Sequence, residues 1–209
     1  MLHNRCMPAE PTTTSPDPQL RPKPSLRERK KERTRRTIRT EAFRLFREQG
    51  YTETTVEHIA EAADISPSTF FRYFPSKEQV VLADDLDPVL IEAFERQPAD
   101  RSLLAAFRQA TIESFEGMSA EDYAFERERT DLVFSVPELR GVIAREFDRN
   151  IEMMVELSAA RTGRDTDDFE IRALAGALTG AMLAQMGRHS FDLEKILRVI
   201  DFLEAGMPI

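Results

Sequence analysis

The residues best suited to contact another molecule lie between Thr54 and Lys77, in the stretch TTVEHIAEAADISPSTFFRYFPSK. Hydroxyl, aromatic and basic side chains are interspersed there with apolar ones at helical spacing. On one face of a helix, such side chains can hydrogen bond to base edges, touch thymine methyl groups and bind phosphates.

Two short helices joined by a tight turn would position these side chains. Thr54 or Thr55 can cap the first helix, because a hydroxyl accepts from the free N–H groups of the opening turn. Apolar residues then recur at helical spacing on one face of that helix: Val56, Ile59, Ala60 and Ala63. The turn follows at Asp64, and Ser66 caps the second helix. This order of elements predicts a helix-turn-helix whose second helix enters the DNA major groove.

The second helix has an inner and an outer face. Phe70 and Phe74 lie four residues apart and face inward, and Pro75 ends the helix. The residues left outside are Pro67, Ser68, Phe71 and Arg72. We therefore expect the outer face to be the one that meets DNA.

The charges are distributed unevenly along the chain. The formal net charge is −8, which is unexpected for a DNA-binding protein. Residues 1–80, however, carry a net charge of +4, and residues 81–209 carry −12. Within 21–47 there are 12 basic and 3 acidic residues. A basic end on an acidic body indicates a two-part protein that presents one face to phosphates. The alternative is a solvated charge run on a disordered arm.

Composition also argues against several classes of protein. No apolar run is long enough to cross a bilayer, and the Pro-, Thr- and Ser-rich N-terminus lacks the apolar core of a secretory signal. A lone Cys6 cannot form an internal disulfide, and no Cys and His spacing suits zinc. We expect residues 1–25 to be disordered. We also expect a cytoplasmic protein without membrane contact, metal or cofactor, associated with the nucleoid when it binds DNA.

The rest of the chain reads as a series of amphipathic helices. One helix, Arg27 to Gln49, precedes the helix-turn-helix and ends at Gly50. Its buried stripe is Ile38, Ala42, Leu45 and Phe46. Later breaks fall at Asp87-Pro88, Pro98, Gly117, Pro137, Gly163 and Gly187, and Asp87 is expected to cap a kinked or new helix. Since no alternating pattern predicts a strand, the expected fold is all-α with about nine helices.

The first three helices resemble the TetR family of transcriptional regulators. The residues that match at fixed spacing are Ile38, Ala42, Phe46, Gly50, Tyr51, Thr54, Thr55, Val56, Ile59, Ala60, Ala62, Ala63, Ser66, Thr69, Phe70, Phe71, Tyr73, Phe74, Pro75 and Lys77. Asp64 departs from the pattern, because the family usually has Gly in this turn. Asp tolerates left-handed backbone better than most residues, so we expect a small loss of stability and no loss of function.

The resemblance implies a helix-turn-helix domain at 26–76 and a ligand-binding and dimerisation domain at 77–209. It implies a homodimer that binds a palindromic double-stranded DNA operator, most often as a repressor, and is released by a small molecule. Geometry agrees, because one recognition helix reads too few base pairs to define a unique site. Such a protein is not an enzyme.

The resemblance also assigns roles at the DNA. Positions similar to the phosphate-binding set are Thr55, Thr69, Tyr73 and Lys77, and positions that face base edges are Pro67, Ser68 and Phe71. Arg72 can bond guanine or grip phosphate, and we favour phosphate. Arg36 and Arg39, with Arg35, can add backbone contacts or remain solvated. Glu57 can accept from cytosine, but we favour a solvated carboxylate at the helix start.

Small residues recur at three- and four-residue spacing in the helix from Asp168 to Gln185: Ala173, Gly176, Ala177, Gly180 and Ala184. Gly costs about 1 kcal/mol inside a helix, so its presence twice suggests close approach of another helix. With Ile196 and Ile200 of the last helix, this stripe resembles the four-helix dimer interface of the family. Close packing inside one subunit is the alternative.

Large apolar residues of the C-terminal half can surround a ligand: Phe107, Phe115, Phe125, Phe134, Phe147, Met154 and Met182. Any one of them is more commonly a core residue than a lining residue. Arg127, Arg129 and Arg145 can meet an anion or pair with neighbouring glutamates. The segment Val136 to Arg140 resembles a TetR subgroup with acyl-CoA-like ligands. An acyl thioester or another largely apolar anion is therefore the expected effector.

Two other classes of function remain open. An enzyme would need a nucleophile elbow, a phosphate loop or a metal motif, and the sequence has none of these. The acidic cluster Asp84, Asp85 and Asp87 could bind a cation, but solvated carboxylates are expected at a helix break. A structural nucleoid protein would bind DNA without sequence preference, so operator competition distinguishes it from a regulator.

Overall fold

The computed structural model describes residues 25–83, 86–186 and 191–209. The regular elements in these ranges are all helices: α1 Leu26–Gln49, α2 Val56–Ala62, α3 Pro67–Tyr73, α4 Lys77–Leu82, α5 Asp87–Glu95, α6 Leu103–Glu116, α7 Ala120–Ser135, α8 Pro137–Thr162, α9 Phe169–Met186 and α10 Leu193–Glu204. The all-α prediction is confirmed. The described ranges contain ten helices where about nine were expected, because α4 and α5 are separate helices. The N-terminal segment predicted to be disordered lies, up to residue 24, outside the described residues, as do Asp84 and Asp85.

Hydroxyl side chains cap five helix starts: the predicted Thr55 and Ser66, and also Ser76, Ser102 and Ser119. In each case the hydroxyl accepts a hydrogen bond from the backbone N–H three residues on. The prediction for Asp87 is wrong: the cap position of α5 is Leu86, which makes no side-chain cap bond. The Asp87 carboxylate instead accepts a 2.9 Å hydrogen bond from Arg149 of α8.

The first core joins the N-terminal helices to α7 and α8. Its fully buried residues include Ile38, Phe43, Ile59, Phe70, Phe74, Val80, Val81 and Leu139. Val133 of α7 and Val142 of α8 belong to the same cluster. A change in the packing of α7 or α8 can therefore reach α1–α4 through direct contact.

The second core lies among α5, α6, α9 and α10. The rings of Phe94 and Phe107 stack with centroids 4.1 Å apart, and Leu178 packs in the same cluster. Ile200 is 1% exposed there, and Ile196 is half-buried against the same cluster. Ile200 is therefore unavailable to a partner, because α10 turns it inward onto α6 and α9, whereas the place of Ile196 in a dimer interface stays a prediction.

Two structural absences can be stated for the described ranges. None of their helices is long and apolar enough to cross a membrane. Within the same ranges, no group of three or more His, Cys, Asp or Glu side chains could hold a metal ion.

Candidate DNA-binding surface and ligand pocket

The turn between α2 and α3 has the backbone that the sequence predicts. Asp64 has φ +53°, which is the left-handed conformation that favours Gly. At the start of α3, the Ser66 hydroxyl accepts from the Thr69 N–H at 3.1 Å, and its oxygen lies 3.0 Å from the Ser68 hydroxyl oxygen. These bonds fix where α3 begins and how it is oriented against α2.

The two faces of α3 differ sharply in exposure. Phe70 is 0% exposed and Phe74 is 1% exposed, whereas Phe71 is 52% exposed. The side chains on the outer face are Pro67, Ser68, Phe71 and Arg72, as predicted. Thr69 and Tyr73 are half-buried at its edges. An exposed aromatic ring beside an exposed hydroxyl provides both apolar and hydrogen-bonding contacts for base edges.

Two of the predicted phosphate contacts stand at helix starts near α3. Thr55 is exposed, and its hydroxyl caps α2 by accepting from the His58 N–H at 3.2 Å. Lys77 begins α4, and its Nζ donates to the carbonyl oxygens of Tyr51 at 2.8 Å and Thr54 at 2.9 Å. Burial lowers the pKa of the Lys77 ammonium below its ordinary value. Because an ammonium has three donors, one N–H is left beyond these two bonds.

Arg39 does not lie on the DNA-facing surface. Its side chain is buried: its Nη2 donates to the Ala83 carbonyl oxygen at 3.0 Å, and its guanidinium lies over the Phe125 ring. The prediction of a DNA backbone contact is therefore wrong for Arg39, because α7 covers this edge of α1. Arg36 is exposed, with its Nη2 3.3 Å from the Asp122 carboxylate of α7.

The first turns of α1 are basic and exposed. Their exposed cations are Arg27, Arg29, Lys30, Lys31 and Arg33. Ser25 and Glu28 form a capping box at the helix start. The Arg35 guanidinium lies 4.5 Å from the centre of the Phe74 ring, at the end of α3. Through Arg35, which follows these basic turns in the chain, α1 thus contacts the end of the predicted recognition helix.

A cavity of about 140 Å³ lies among α4, α7, α8 and α9. Its apolar lining is Leu82, Val133, Phe134, Ile143, Phe147, Met182, Leu183 and Met186. Its polar lining is Arg129, Thr130, Glu146, Arg149, Asn150 and Thr179. Three of the predicted lining residues, Phe134, Phe147 and Met182, are therefore brought together here.

The other four predicted lining residues lie elsewhere. Phe107 belongs to the second core, against which Met154 packs, and Phe115 stacks on Phe191 with centroids 4.8 Å apart. Phe125 lines a larger groove of about 620 Å³ between α1 and the α6–α7 segment. These residues separate for one reason, since helical spacing does not show which helix covers an apolar side chain.

Basic residues stand at the polar side of the 140 Å³ cavity. Arg129 is buried, and its Nε donates to the Glu126 carboxylate at 2.6 Å. Arg149 donates to Asp87 and to Glu146, at 2.9 Å and 2.8 Å. Sequence reasoning weighed Arg129 but missed Arg149, although Arg149 and Glu146 are three apart on one helix. Cations beside an apolar cavity suit a ligand with an apolar body and an anionic group.

The small residues of α9 form an uncovered face. Ala173, Ala177 and Ala184 are exposed, and a Cβ added at Gly176 or Gly180 would have no neighbouring atom within 4 Å. Close packing inside the subunit therefore does not explain these glycines in the described part of the chain.

Phe169, one turn before Ala173, extends the same face and is 83% exposed. Sequence reasoning missed it, although its spacing of four residues from Ala173 is the signal that would have found it.

Models of two protein families match the chain. The one described as "Bacterial regulatory proteins, tetR family" matches residues 38–83, and "MftR C-terminal domain" matches residues 101–208. The HTH-type transcriptional regulator TcmR of Streptomyces glaucescens is 39% identical over 155 residues, which cover 69% of this chain and 67% of TcmR. A Mycobacterium tuberculosis protein described as a mycofactocin biosynthesis transcriptional regulator, MftR, is 26% identical over 157 residues, covering 75% and 79% of the two chains.

Solved structures share the fold. A TetR-family regulator from Syntrophomonas wolfei superposes with a TM-score of 0.60 at 16% identity, covering 84% of this chain and 95% of that one. Thermus thermophilus FadR, a TetR-family repressor in complex with lauroyl-CoA, gives a TM-score of 0.54 at 26% identity with the same coverage. The outward face of α3, the two family matches and the identity to TcmR lead to one conclusion: the chain belongs to the TetR family of transcriptional regulators, with α2 and α3 as its DNA-binding helix-turn-helix.

Proposed function

We propose that this regulator binds a palindromic operator as a homodimer, represses transcription and leaves the DNA when a small molecule binds. The observation that carries the proposal is the exposed face of α3, where Phe71 stands outward while Phe70 and Phe74 anchor the helix from behind. A rigid short helix with such a face fits the major groove. Since its target is chromosomal DNA, the protein acts in the cytoplasm at the nucleoid.

The DNA contacts divide into positioning and reading. The side chains that contact base edges are those of Pro67, Ser68 and Phe71. The side chains that contact phosphates are those of Thr55, Thr69, Arg72, Tyr73 and Lys77. Arg36 and the basic turns of α1 contact phosphates further along the duplex. Phosphate contacts hold the register, and the base contacts supply sequence preference. The basic N-terminal half explains how a chain of net charge −8 approaches DNA.

The dimer forms through the uncovered face of α9. Small side chains at 173, 176, 177, 180 and 184 allow a second helix to approach closely, and the exposed ring of Phe169 supplies apolar area at one end. Phe202 of α10, which is 41% exposed, adds to the apolar surface available to a partner. A twofold pairing of α9 places two α3 helices on one duplex, which a palindromic operator requires.

The effector occupies the cavity among α4, α7, α8 and α9. Its wall of Phe134, Phe147 and Met182 suits an acyl chain, and Arg129 or Arg149 suits an anionic group. FadR, which has been crystallised with lauroyl-CoA, is similar to this chain at 26% identity. An acyl thioester or another largely apolar anion is therefore the proposed effector class.

The size of the cavity suggests how binding releases DNA. About 140 Å³ is well below the ~300–1,000 Å³ of ordinary ligand pockets, so a ligand would have to separate the surrounding helices. One of these is α4, through Leu82, and α4 follows the recognition helix directly. Ligand binding would thus favour a dimer whose two α3 helices no longer match the half-sites.

The test is selection of bound sequences from random duplex DNA by the purified chain, followed by titration of the selected duplex with lauroyl-CoA. We expect enrichment of an inverted repeat, and weaker binding to it as lauroyl-CoA is added. If all sequences compete equally, the chain is a non-specific nucleoid protein instead of a regulator. If the selected operator stays bound at saturating lauroyl-CoA, the acyl thioester proposal is wrong.

A further inference from the structure

Two buried hydroxyl groups line the cavity of about 140 Å³ among α4, α7, α8 and α9. Thr130 of α7 is 3% exposed, and Thr179 of α9 is 9% exposed. In the part of the chain that the structure describes, neither hydroxyl makes a hydrogen bond to another group of the protein. Neither oxygen is completely enclosed by protein atoms, so each can be reached from the cavity that it lines.

A helix offers such hydroxyls a partner that these two do not use. In α6, the Thr111 hydroxyl is buried to a similar degree and donates to the Phe107 carbonyl oxygen at 2.8 Å. A Thr inside a helix can make this bond to the carbonyl four residues before it. A buried hydroxyl without a partner lowers the free energy of unfolding, because it has lost its hydrogen bonds to water. Thr130 and Thr179 in one cavity therefore indicate a partner that comes from outside the chain.

An amide group lies on the same cavity. Asn150 of α8 is half-buried and lines it, and its side chain makes no hydrogen bond within the described residues. The helices α7, α8 and α9 thus each supply one uncharged polar side chain to a wall that is otherwise mostly apolar. A few convergent polar groups in an apolar pocket fix the orientation of a ligand. Because hydroxyl and amide groups carry no charge, they suit an uncharged oxygen such as a carbonyl.

We propose that Thr130 and Thr179 donate hydrogen bonds to an uncharged oxygen of the effector, which in an acyl thioester is the carbonyl oxygen. This rests on the proposed function, because it takes the effector to enter this cavity. The apolar wall holds the acyl chain, and the two hydroxyls select ligands that carry an oxygen at the head of that chain. They determine which ligand is bound and take no part in binding DNA.

Two ligands that differ only in this oxygen test the proposal. Lauroyl-CoA has the thioester carbonyl, whereas S-dodecyl-CoA is a thioether of the same chain length with a methylene group in its place. In calorimetric titrations of the DNA-free chain, wild type should bind lauroyl-CoA about tenfold more tightly than S-dodecyl-CoA. The double variant Thr130→Val, Thr179→Val should bind the two ligands within about threefold of each other, because it loses affinity for lauroyl-CoA alone.

Thr111→Val is the matched control, since Thr111 is similarly buried but is bonded inside α6 and lies outside the lining of the cavity. It should keep the wild-type preference for lauroyl-CoA and melt at a lower temperature than wild type. The double variant should melt no lower than wild type, because neither of its hydroxyls loses a partner within the protein. A double variant that keeps the preference for lauroyl-CoA, or that melts as low as Thr111→Val, would overturn the proposal.

The wild-type chain separates this proposal from the proposed function. Equal affinity for lauroyl-CoA and S-dodecyl-CoA contradicts the assignment of Thr130 and Thr179 alone, since both ligands still bind. A chain that selects an operator but binds neither ligand contradicts the acyl thioester effector, and the assignment of the two hydroxyls is then wrong as well.

Discussion

Nζ of Lys77 donates a hydrogen bond of 2.8 Å to the carbonyl oxygen of Tyr51 and lies 4.1 Å from the centre of the Tyr51 ring. The same ammonium donates to the Thr54 carbonyl oxygen at 2.9 Å. One side chain at the start of α4 therefore holds the loop between α1 and α2. Lys77 has a part in the stability of the DNA-binding domain as well as its predicted phosphate contact.

Lys77→Met should therefore have two separate effects. Loss of a charged donor from two carbonyls should lower the free energy of unfolding by about 1.5–3 kcal/mol, measured by urea denaturation. Loss of one phosphate contact should flatten the slope of log affinity against log salt by about one unit. An unchanged unfolding free energy would contradict the internal role, and an unchanged slope would remove Lys77 from the phosphate set.

Phe70 and Phe71 form a matched pair on α3, because one ring is fully buried and its neighbour, 5.5 Å away, is 52% exposed. Phe71→Ala should cost no more than the edge contact between the rings, about 0.5–1.5 kcal/mol, while Phe70→Ala should cost about 3–5 kcal/mol. The Phe71 variant should nevertheless bind the selected operator more weakly, because its ring contacts thymine methyl groups.

Replacing operator thymines by uracil gives the control for this contact. Uracil lacks the methyl group of thymine. At the base that Phe71 contacts, the substitution should therefore weaken operator binding by the wild-type protein and leave operator binding by Phe71→Ala unchanged. Equal sensitivity of both proteins to uracil would show that Phe71 does not read thymine.

Asp64 occupies the left-handed turn between α2 and α3, where Gly is under no strain from a Cβ. With φ at +53°, Asp64→Gly should raise the free energy of unfolding by a few tenths to about 1 kcal/mol. Asp64→Ala should lower it by a similar amount, because Ala tolerates this conformation less well than Asp. Thermal melts of the three proteins test the order Gly, Asp, Ala, and operator affinity should be the same for all.

Buried Tyr51 should make stability fall at alkaline pH. Burial raises the pKa of its phenol above the ordinary value, and the carboxylates of Glu78 and Glu138 raise it further. The unfolded chain loses this proton near pH 10, while the folded chain keeps it. The contribution of the protonated Tyr51 phenol to the free energy of unfolding is thus fully present below about pH 10. It is lost as the pH rises above that value, by at most ~1.4 kcal/mol per pH unit.

Tyr51→Phe isolates this effect from other groups. Because the pKa of Lys77 is lowered in the folded chain, its titration makes stability rise with pH just below its ordinary pKa. Lys77 is present in both proteins, so this effect cancels when wild type is compared with Tyr51→Phe. Urea unfolding between pH 9 and 11 should show a steeper loss of stability for wild type than for Tyr51→Phe. Parallel pH profiles would contradict the raised pKa of Tyr51.

The features that sequence predicts well depend on neighbours within a few residues. The Ser66 cap, the left-handed Asp64 and the outward Phe71 all follow from side-chain type and helical spacing over one or two turns. The same reasoning identifies Phe134, Phe147 and Met182 as lining residues, although it does not separate them from Phe107.

The features that sequence misses depend on which helices meet. Arg39 follows Ile38 in the chain and looks like a surface cation, but α7 covers it and supplies Glu126. Ile200 belongs to an amphipathic stripe that could face a partner, and instead α6 and α9 bury it. Helical period gives the width of an apolar face, and only tertiary packing decides what lies against it.

The most direct measurement compares the selected operator with a duplex in which about five base pairs are inserted between its half-sites. This is half of a helical turn, so the two half-sites come to face opposite sides of the duplex. Since two α3 helices held by one twofold dimer must bind together, we expect the insertion to weaken binding by at least about a hundredfold. Equal affinity for the two duplexes would show that the outward face of α3 is not presented to DNA in a fixed pair.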